Sequence, residues 1–416
     1  MWKLTKVAAV AAALAAAVAA HAGEVEVLHY WTSGGEAKSA AELKKMMQAK
    51  GHTWRDFAVA GGGGDSAMTV LKSRVISGNP PSAAPVKGPA IQEWASEGVL
   101  GNMDALAKSE KWDEALPKVV ADVMKYKGNY VAAPVNVHRV NWIWASSDAL
   151  KKAGVAAMPK TWDEFFAAAD KLKAAGLIPV AHGGQNWQDF TTFESVVLGV
   201  GGPKFYQDAL VKLDDKALTS DTMKKSLETF RRIKTYTDPG APGRDWNLAT
   251  AMLIQGKAGF QLMGDWAKGE FIAAGKAPGK DFMCAAAPGT ANAFTFNVDS
   301  FILFKLKDAA AQKAQSDLAS AIMSPGFQEV FNLNKGSIPV RAGQSMDKFD
   351  DCAKASAKDF ADTAKSGGLV PSVAHGMAIA PATEGAIKDA VSQFWNDDKV
   401  SVADAMKKIA TAAKTK

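Results

Sequence analysis

Tyr30 and Trp31 end a short apolar run in "LHYWTSGGEAKSAAELKKMM", and Glu36 follows Gly34 and Gly35 where a helix begins. Large aromatics beside a carboxylate at a strand end are hard to bury within their own layer. They either face a ligand or pack against a neighbouring domain. Further along, Lys87 follows a third apolar run, Trp266 closes "GKAGFQLMGDW", and Lys335 sits on the turn of "NLNKGSIPV". Aromatics, acids and amines of this kind make a binding surface. The sequence has no HExxH zinc helix, no GxSxG elbow and no Cys/His nucleophile pattern. "GGGGDSAMTV" lacks the GK[ST] ending of a phosphate loop. It reads as a flexible turn from strand to helix, with Asp65 or Ser66 as the N-cap.

The elements that must position these residues alternate. Glu24–Trp31 reads as a strand, Glu36–Lys50 as a helix stopped by Gly51, and Thr53–Ala60 as a second strand. Gly61–Gly64 opens a helix through Ser77, Ser82–Val86 is a short strand, and Pro89 to Gly98 spans another helix. This order predicts an α/β fold with a mostly parallel sheet and helices on both faces. Such sheets bind ligands beyond the C-terminal ends of their strands, where Tyr30, Trp31, Glu36 and Lys87 lie. Later, Tyr130–Val135 and Val140–Ala145 read as strands, and Thr161 with Glu164 forms a capping box for a helix. "FNVDSFILFKL" reads as one strand, and Trp142, Trp144 and Trp162 as core.

The first 22 residues are set apart. Lys3 and Lys6 precede an Ala/Val/Leu run from Val7 to Ala20, and Ala20-His21-Ala22 places small residues at a peptidase site. This predicts a signal peptide over residues 1–22 and a periplasmic location. No cysteine follows the site, so no lipid anchor is expected. The remaining length suits two domains. Net charge is +6, of which Lys3 and Lys6 supply two, and the other lysines are scattered beside acids. That pattern argues against nucleic acid as a partner. Cys284 and Cys352 are the only cysteines, and an oxidising compartment favours their pairing as a disulfide.

Four motifs in order, "MPKTWDEF", "GKAGFQLMGDW", "NVDSFILF" and "MSPGFQEVFNLNKGSIPV", resemble the extracellular solute-binding proteins of ABC-type sugar importers. With "YWTSGGEAK" and "VAHGM", the chain looks most like the glucose/mannose-binding subgroup. The resemblance covers essentially all of the chain after residue 22. It implies the two-lobed periplasmic binding protein fold, with a hinge and an inter-lobe cleft. The chain would cross three times, near Ala133, Val298 and Ala342. The lobes would then be 23–133 plus 299–342, and 134–298 plus 343–416.

A pyranose presents two C–H faces and a rim of hydroxyls. Aromatic rings cover the faces, while carboxylates and amines serve the rim. By the resemblance, Trp31, Glu36, Trp266, Asp299, Lys335 and His375 match the family's ligand residues, with Tyr30 and Lys87 beside them. Asn136 and His138 lie just past a crossing, within reach of the same cleft. The implied function is binding of a monosaccharide, glucose foremost, and delivery to the permease subunits of an ABC importer. A monomer without cofactor or metal is implied. An oligosaccharide receptor is the alternative. A glycosidase using Glu36 and Asp299 as its acid pair is disfavoured, because the motifs are those of binding.

Overall fold

A computed structural model describes residues 22–415; the expected signal peptide lies outside the described residues, except for Ala22. The first sheet has five strands in the order Thr53–Ala58, Glu24–His29, Ala83–Val86, Ser300–Leu303, Ala132–Pro134. The first three run parallel, as the strand–helix alternation predicts. Ser300–Leu303 runs antiparallel to both of its neighbours, which departs from the mostly parallel expectation. The chain returns to this sheet from elsewhere in the molecule instead of through a crossover helix, so its direction is reversed.

Elsewhere stand a four-stranded sheet, Phe282–Ala286, Trp142–Ser146, Ala258–Leu262, Ile178–Val180, and a three-stranded one, Leu369–Pro371, Phe294–Asn297, His138–Arg139. "FNVDSFILFKL" is therefore two strands in two sheets, broken at Val298-Asp299. The chain leaves the five-stranded sheet at Pro134 and joins the three-stranded one at His138. It comes back between Asn297 and Ser300.

Separate cores follow the sheets. Val27, Leu28, Ile302 and Phe331 belong to one, and Phe165, Phe193, Phe230 and Phe260 to another. Trp142 and Trp144 are buried in a third cluster with Phe271 and Phe282. Trp162 is half-buried against the second core.

Local signals explain the helices. Thr161 Oγ1 accepts from the Glu164 N–H at 3.2 Å, while Glu164 reaches back to the Lys160 N–H at 2.7 Å. Phe165, Ala169 and Leu172 then bury one face. Neither Asp65 nor Ser66 caps its helix: the N-cap is Gly64, in the left-handed region. Asp65 lies one position inside, free to point across the molecule. Cys284 and Cys352 form a disulfide that ties strand Phe282–Ala286 to the start of helix Asp351–Ser366. Among the described residues no helix is long and apolar enough to cross a membrane.

Candidate functional site

One cleft of about 530 Å³ is lined by all eight residues that the sequence brings forward: Tyr30, Trp31, Glu36, Lys87, Trp266, Asp299, Lys335 and His375. That volume falls within the range of small-molecule sites. Seven of the eight sit at element ends, and His375 lies in the loop between strand Leu369–Pro371 and helix Pro381–Asn396. Tyr30 and Trp31 follow strand Glu24–His29, Lys87 follows Ala83–Val86, and Asp299 fills the gap between Asn297 and Ser300. Glu36 is in the first turn of helix Gly34–Ala49, and Lys335 in the last turn of helix Pro325–Lys335.

The charged groups are already paired. Lys335 forms an ion pair with Glu36 and lies 5.6 Å from the centre of the Trp31 ring. Lys87 Nζ is 3.3 Å from Asp299 Oδ1 and 5.8 Å from the Tyr30 ring centre. His138 binds Asp299 through Nε2 at 2.9 Å and Asp265 through Nδ1. Asn136 closes the network. Its Nδ2 donates to Asp299 Oδ2 at 3.0 Å, and its Oδ1 accepts from the Asp299 N–H at 2.9 Å. His138 therefore lines the cleft, while Asn136 stands behind it as a support.

Burial alone would raise Asp299, but Lys87 and His138 hold its carboxyl well below the usual carboxylate range. Burial also opposes charge on His138, yet Asp265 and Asp299 together hold it above the usual imidazole value. His375 goes the other way. Burial, with Lys87 and His138 nearby, pushes it well below its ordinary value, so its ring is neutral. Its Nε2 lies 3.0 Å from Thr191 Oγ1.

The loop carrying His375 is pinned by Glu194, which accepts from the Val373 N–H at 2.9 Å, the Ala374 N–H at 3.1 Å and Ser372 Oγ at 2.6 Å. Burial lifts Glu194 to about 7 despite these bonds.

The aromatics differ in setting. Trp31 is wedged edge-on between Phe301 and Phe331, 5.5 and 5.4 Å away, so much of its ring belongs to the first core. Trp266 meets His138 at 5.2 Å and His375 at 4.8 Å, both edge-on. Trp187, at the start of helix Asn186–Tyr206, joins them 6.4 Å from Trp266. It lines the cleft but is not among the residues that the sequence brings forward. Its mark in the sequence is an aromatic in the first turn of a helix that follows a glycine pair, Gly183-Gly184.

The glycine run has a use beyond flexibility. A side chain on Gly63 would meet the Trp187 ring at 3.1 Å, and one on Gly64 the Tyr30 ring at 3.1 Å. Only bare backbone fits between the two rings, and both residues have positive φ.

Two further contacts cross the cleft. Lys388 Nζ reaches Asp65 at 3.2 Å, and the Gly35 N–H donates to Glu270 Oε1 at 2.9 Å. Glu384, beside Lys388, is lifted by burial to about 7. Among the described residues no group of three or more His, Cys, Asp or Glu is placed to hold a metal.

A two-lobed α/β body with its polar cleft between the sheets defines a class of binding protein, and the comparisons agree. Residues 31–320 match the family model "Bacterial extracellular solute-binding protein". The chain belongs to that family. It is 48% identical over 420 residues to a "Probable sugar-binding periplasmic protein" of Brucella suis, covering 99% of both chains. It is 49% identical to one of the same description from Rhizobium meliloti, covering 96% of both. Among solved structures, a "Chitin oligosaccharide binding protein" superposes with a TM-score of 0.78 at 18% identity, covering 94% of this chain and 98% of that one. The bacterial solute receptor AcbH gives the same TM-score at 19% identity, with the same coverage. At such identities these structures establish the two-lobed fold.

Proposed function

We propose that this chain is a periplasmic receptor that binds a neutral monosaccharide, glucose foremost, and hands it to the membrane permease of an ABC importer. One observation carries the reading. Tyr30, Trp31 and Trp266 share a single cleft with Glu36, Asp299, Lys87 and Lys335, and the acids and amines face each other as ion pairs. Paired charges leave little net field to attract a charged solute. They still offer charge-assisted hydrogen bonds to hydroxyls, and the rings offer apolar faces. Relatives at 48–49% identity described as sugar-binding and periplasmic support the same reading.

In this reading the lobes are 23–133 plus 299–342 and 134–298 plus 343–416, and residues 1–22 direct export. Sugar touches both lobes and so favours the closed form over the open one. The closed monomer docks on the permease. Affinity is micromolar or tighter, about −8 kcal/mol or stronger.

Calorimetric titration with glucose, after unfolding and refolding to strip carried-over sugar, tests it. One-site micromolar binding is expected. Binding of maltose in preference to glucose would move the reading to an oligosaccharide. No heat with glucose, mannose, galactose or maltose would remove it.

A further inference from the structure

The fold bonds its buried asparagines at both ends. Asn136 exchanges bonds with Asp299. Asn141 donates to Thr290 Oγ1 and the Ala293 carbonyl and accepts from the Thr295 N–H. Asn332 donates to the Val135 carbonyl and accepts from Ser337. Asn297 is different. It is 1% exposed, and its Oδ1 has no hydrogen-bond partner among the described residues. It ends strand Phe294–Asn297, pairs in register with His138, and lines the cleft.

Serine N-caps show the same contrast. Ser146, Ser220, Ser324 and Ser401 each cap a helix by accepting a backbone N–H with the hydroxyl. Ser33 holds the same position before helix Gly34–Ala49 and makes no such bond. Its Oγ is buried and without a partner among the described residues, and Ser33 also lines the cleft. A buried polar group without a partner costs free energy. Three buried polar atoms of the cleft lining, Asn297 Oδ1, Ser33 Oγ and Trp31 Nε1, lack a partner among the described residues; the first two, unlike the other buried asparagines and the serine N-caps above, point to a partner that arrives with the ligand.

We infer that Asn297 and Ser33 bond the bound sugar directly and select which hydroxyls it must carry. This rests on the sugar reading above. The paired charges around Asp299 and Glu36 hold each other in place whether or not ligand is bound. The amide and the hydroxyl are satisfied by a correctly placed sugar hydroxyl and left stranded by an analogue that lacks it. Discrimination against a missing hydroxyl is the task such groups perform best.

The test is calorimetry on wild type, Asn297→Ala and Ser33→Ala, using glucose, mannose, galactose and maltose, then the mono-deoxy analogues of the sugar that binds. Asn297→Ala is expected to weaken the parent sugar about tenfold or more, and Ser33→Ala about three- to tenfold. For each variant one deoxy analogue should bind as it does to wild type, because the same bond is missing in both, the logic of a double-mutant cycle. The ligand-free variants should melt at or above the wild-type temperature, since an apolar group replaces an unpartnered polar one. A purely structural role would lower the melting temperature instead.

Wild-type affinity in both variants, or losses equal for every analogue, would overturn the inference and leave the sugar reading intact. A wild type that binds none of the four sugars would overturn both. If Asn297→Ala does not fold, Asn297 is structural and its assignment falls, while Ser33→Ala still decides for Ser33.

Discussion

His138 Nε2 stands 2.9 Å from Asp299 Oδ2, with both side chains buried, His138 opening the three-stranded sheet's strand His138–Arg139 and Asp299 in the connection between two sheets. Asp299 thus serves Lys87 and His138 at once. Asp299→Asn is expected to cost more than about tenfold in sugar affinity and to bring His138 back toward its ordinary value. The sign follows from linkage. His138 is raised in the folded protein, so its contribution is fully present below its unfolded value of about 6.5. It is lost as pH rises through the raised value. An NMR titration of the His138 ring should show protonation persisting above pH 6.5 in wild type and falling in Asp299→Asn. An unchanged ring titration would show that Asp265 alone holds the charge.

Trp31 and Trp266 should part company when cut to alanine. Trp31 sits in the core beside Phe301 and Phe331, so Trp31→Ala should lose about 3–5 kcal/mol of stability besides binding. Trp266→Ala should lose more than about tenfold in affinity with a smaller fall in melting temperature. Chemical denaturation beside calorimetry separates the two effects. Equal stability losses would mean that Trp266 too is chiefly packing.

Much of this site is legible in the amino-acid sequence alone. Aromatics at strand ends and the acid in a first helical turn are local patterns, and the cysteine pair follows from there being only two cysteines. Local patterns are what a sequence displays. The order of strands and helices in the first hundred residues follows from their periodicity. What the sequence hides is relational. Nothing around Lys388 says that it faces Asp65, 323 residues away in sequence. The split of "FNVDSFILFKL" between two sheets is equally hidden, because both halves are apolar and a crossing in extended backbone looks like one continuous strand. Asn297 escapes notice for a related reason: an unbonded amide is defined by what its neighbours fail to supply.

Acidity should favour the fold at two buried carboxyls. Glu194 and Glu384 are lifted by burial to about 7. A carboxyl raised in the folded state gives stability that is complete below its unfolded value, about 4.3, and is lost as pH rises through 7. His375, pushed down by burial, contributes with the opposite sign over the same range, so the comparison is with Glu384→Gln: the melting temperature of wild type relative to this variant should fall between pH 5 and pH 8. A difference between the two that does not change with pH would contradict the assignment.

The disulfide should matter for stability and not for affinity. Cys284 and Cys352 do not line the cleft; they anchor helix Asp351–Ser366 to the four-stranded sheet. Replacing both with serine should cost about 2–4 kcal/mol and leave sugar affinity within about twofold. A large loss of affinity without loss of stability would show that the bridge shapes the cleft.

Asp299 occupies the two-residue passage between strands of different sheets, with Asn136 on the companion passage beside it and His138 at that passage's far end. A rotation of one body against the other about these passages moves each side chain in proportion to its lever arm. In the closure proposed above, displacement near the fulcrum would be small, so Asp299, Asn136 and His138 would keep one geometry through the swing. Lys388 and Asp65 are not tied to these passages, and their bridge would give way as the bodies turn. A solute arriving in the gaping form would then meet a fixed anvil first, and the far jaw would come down on it afterwards.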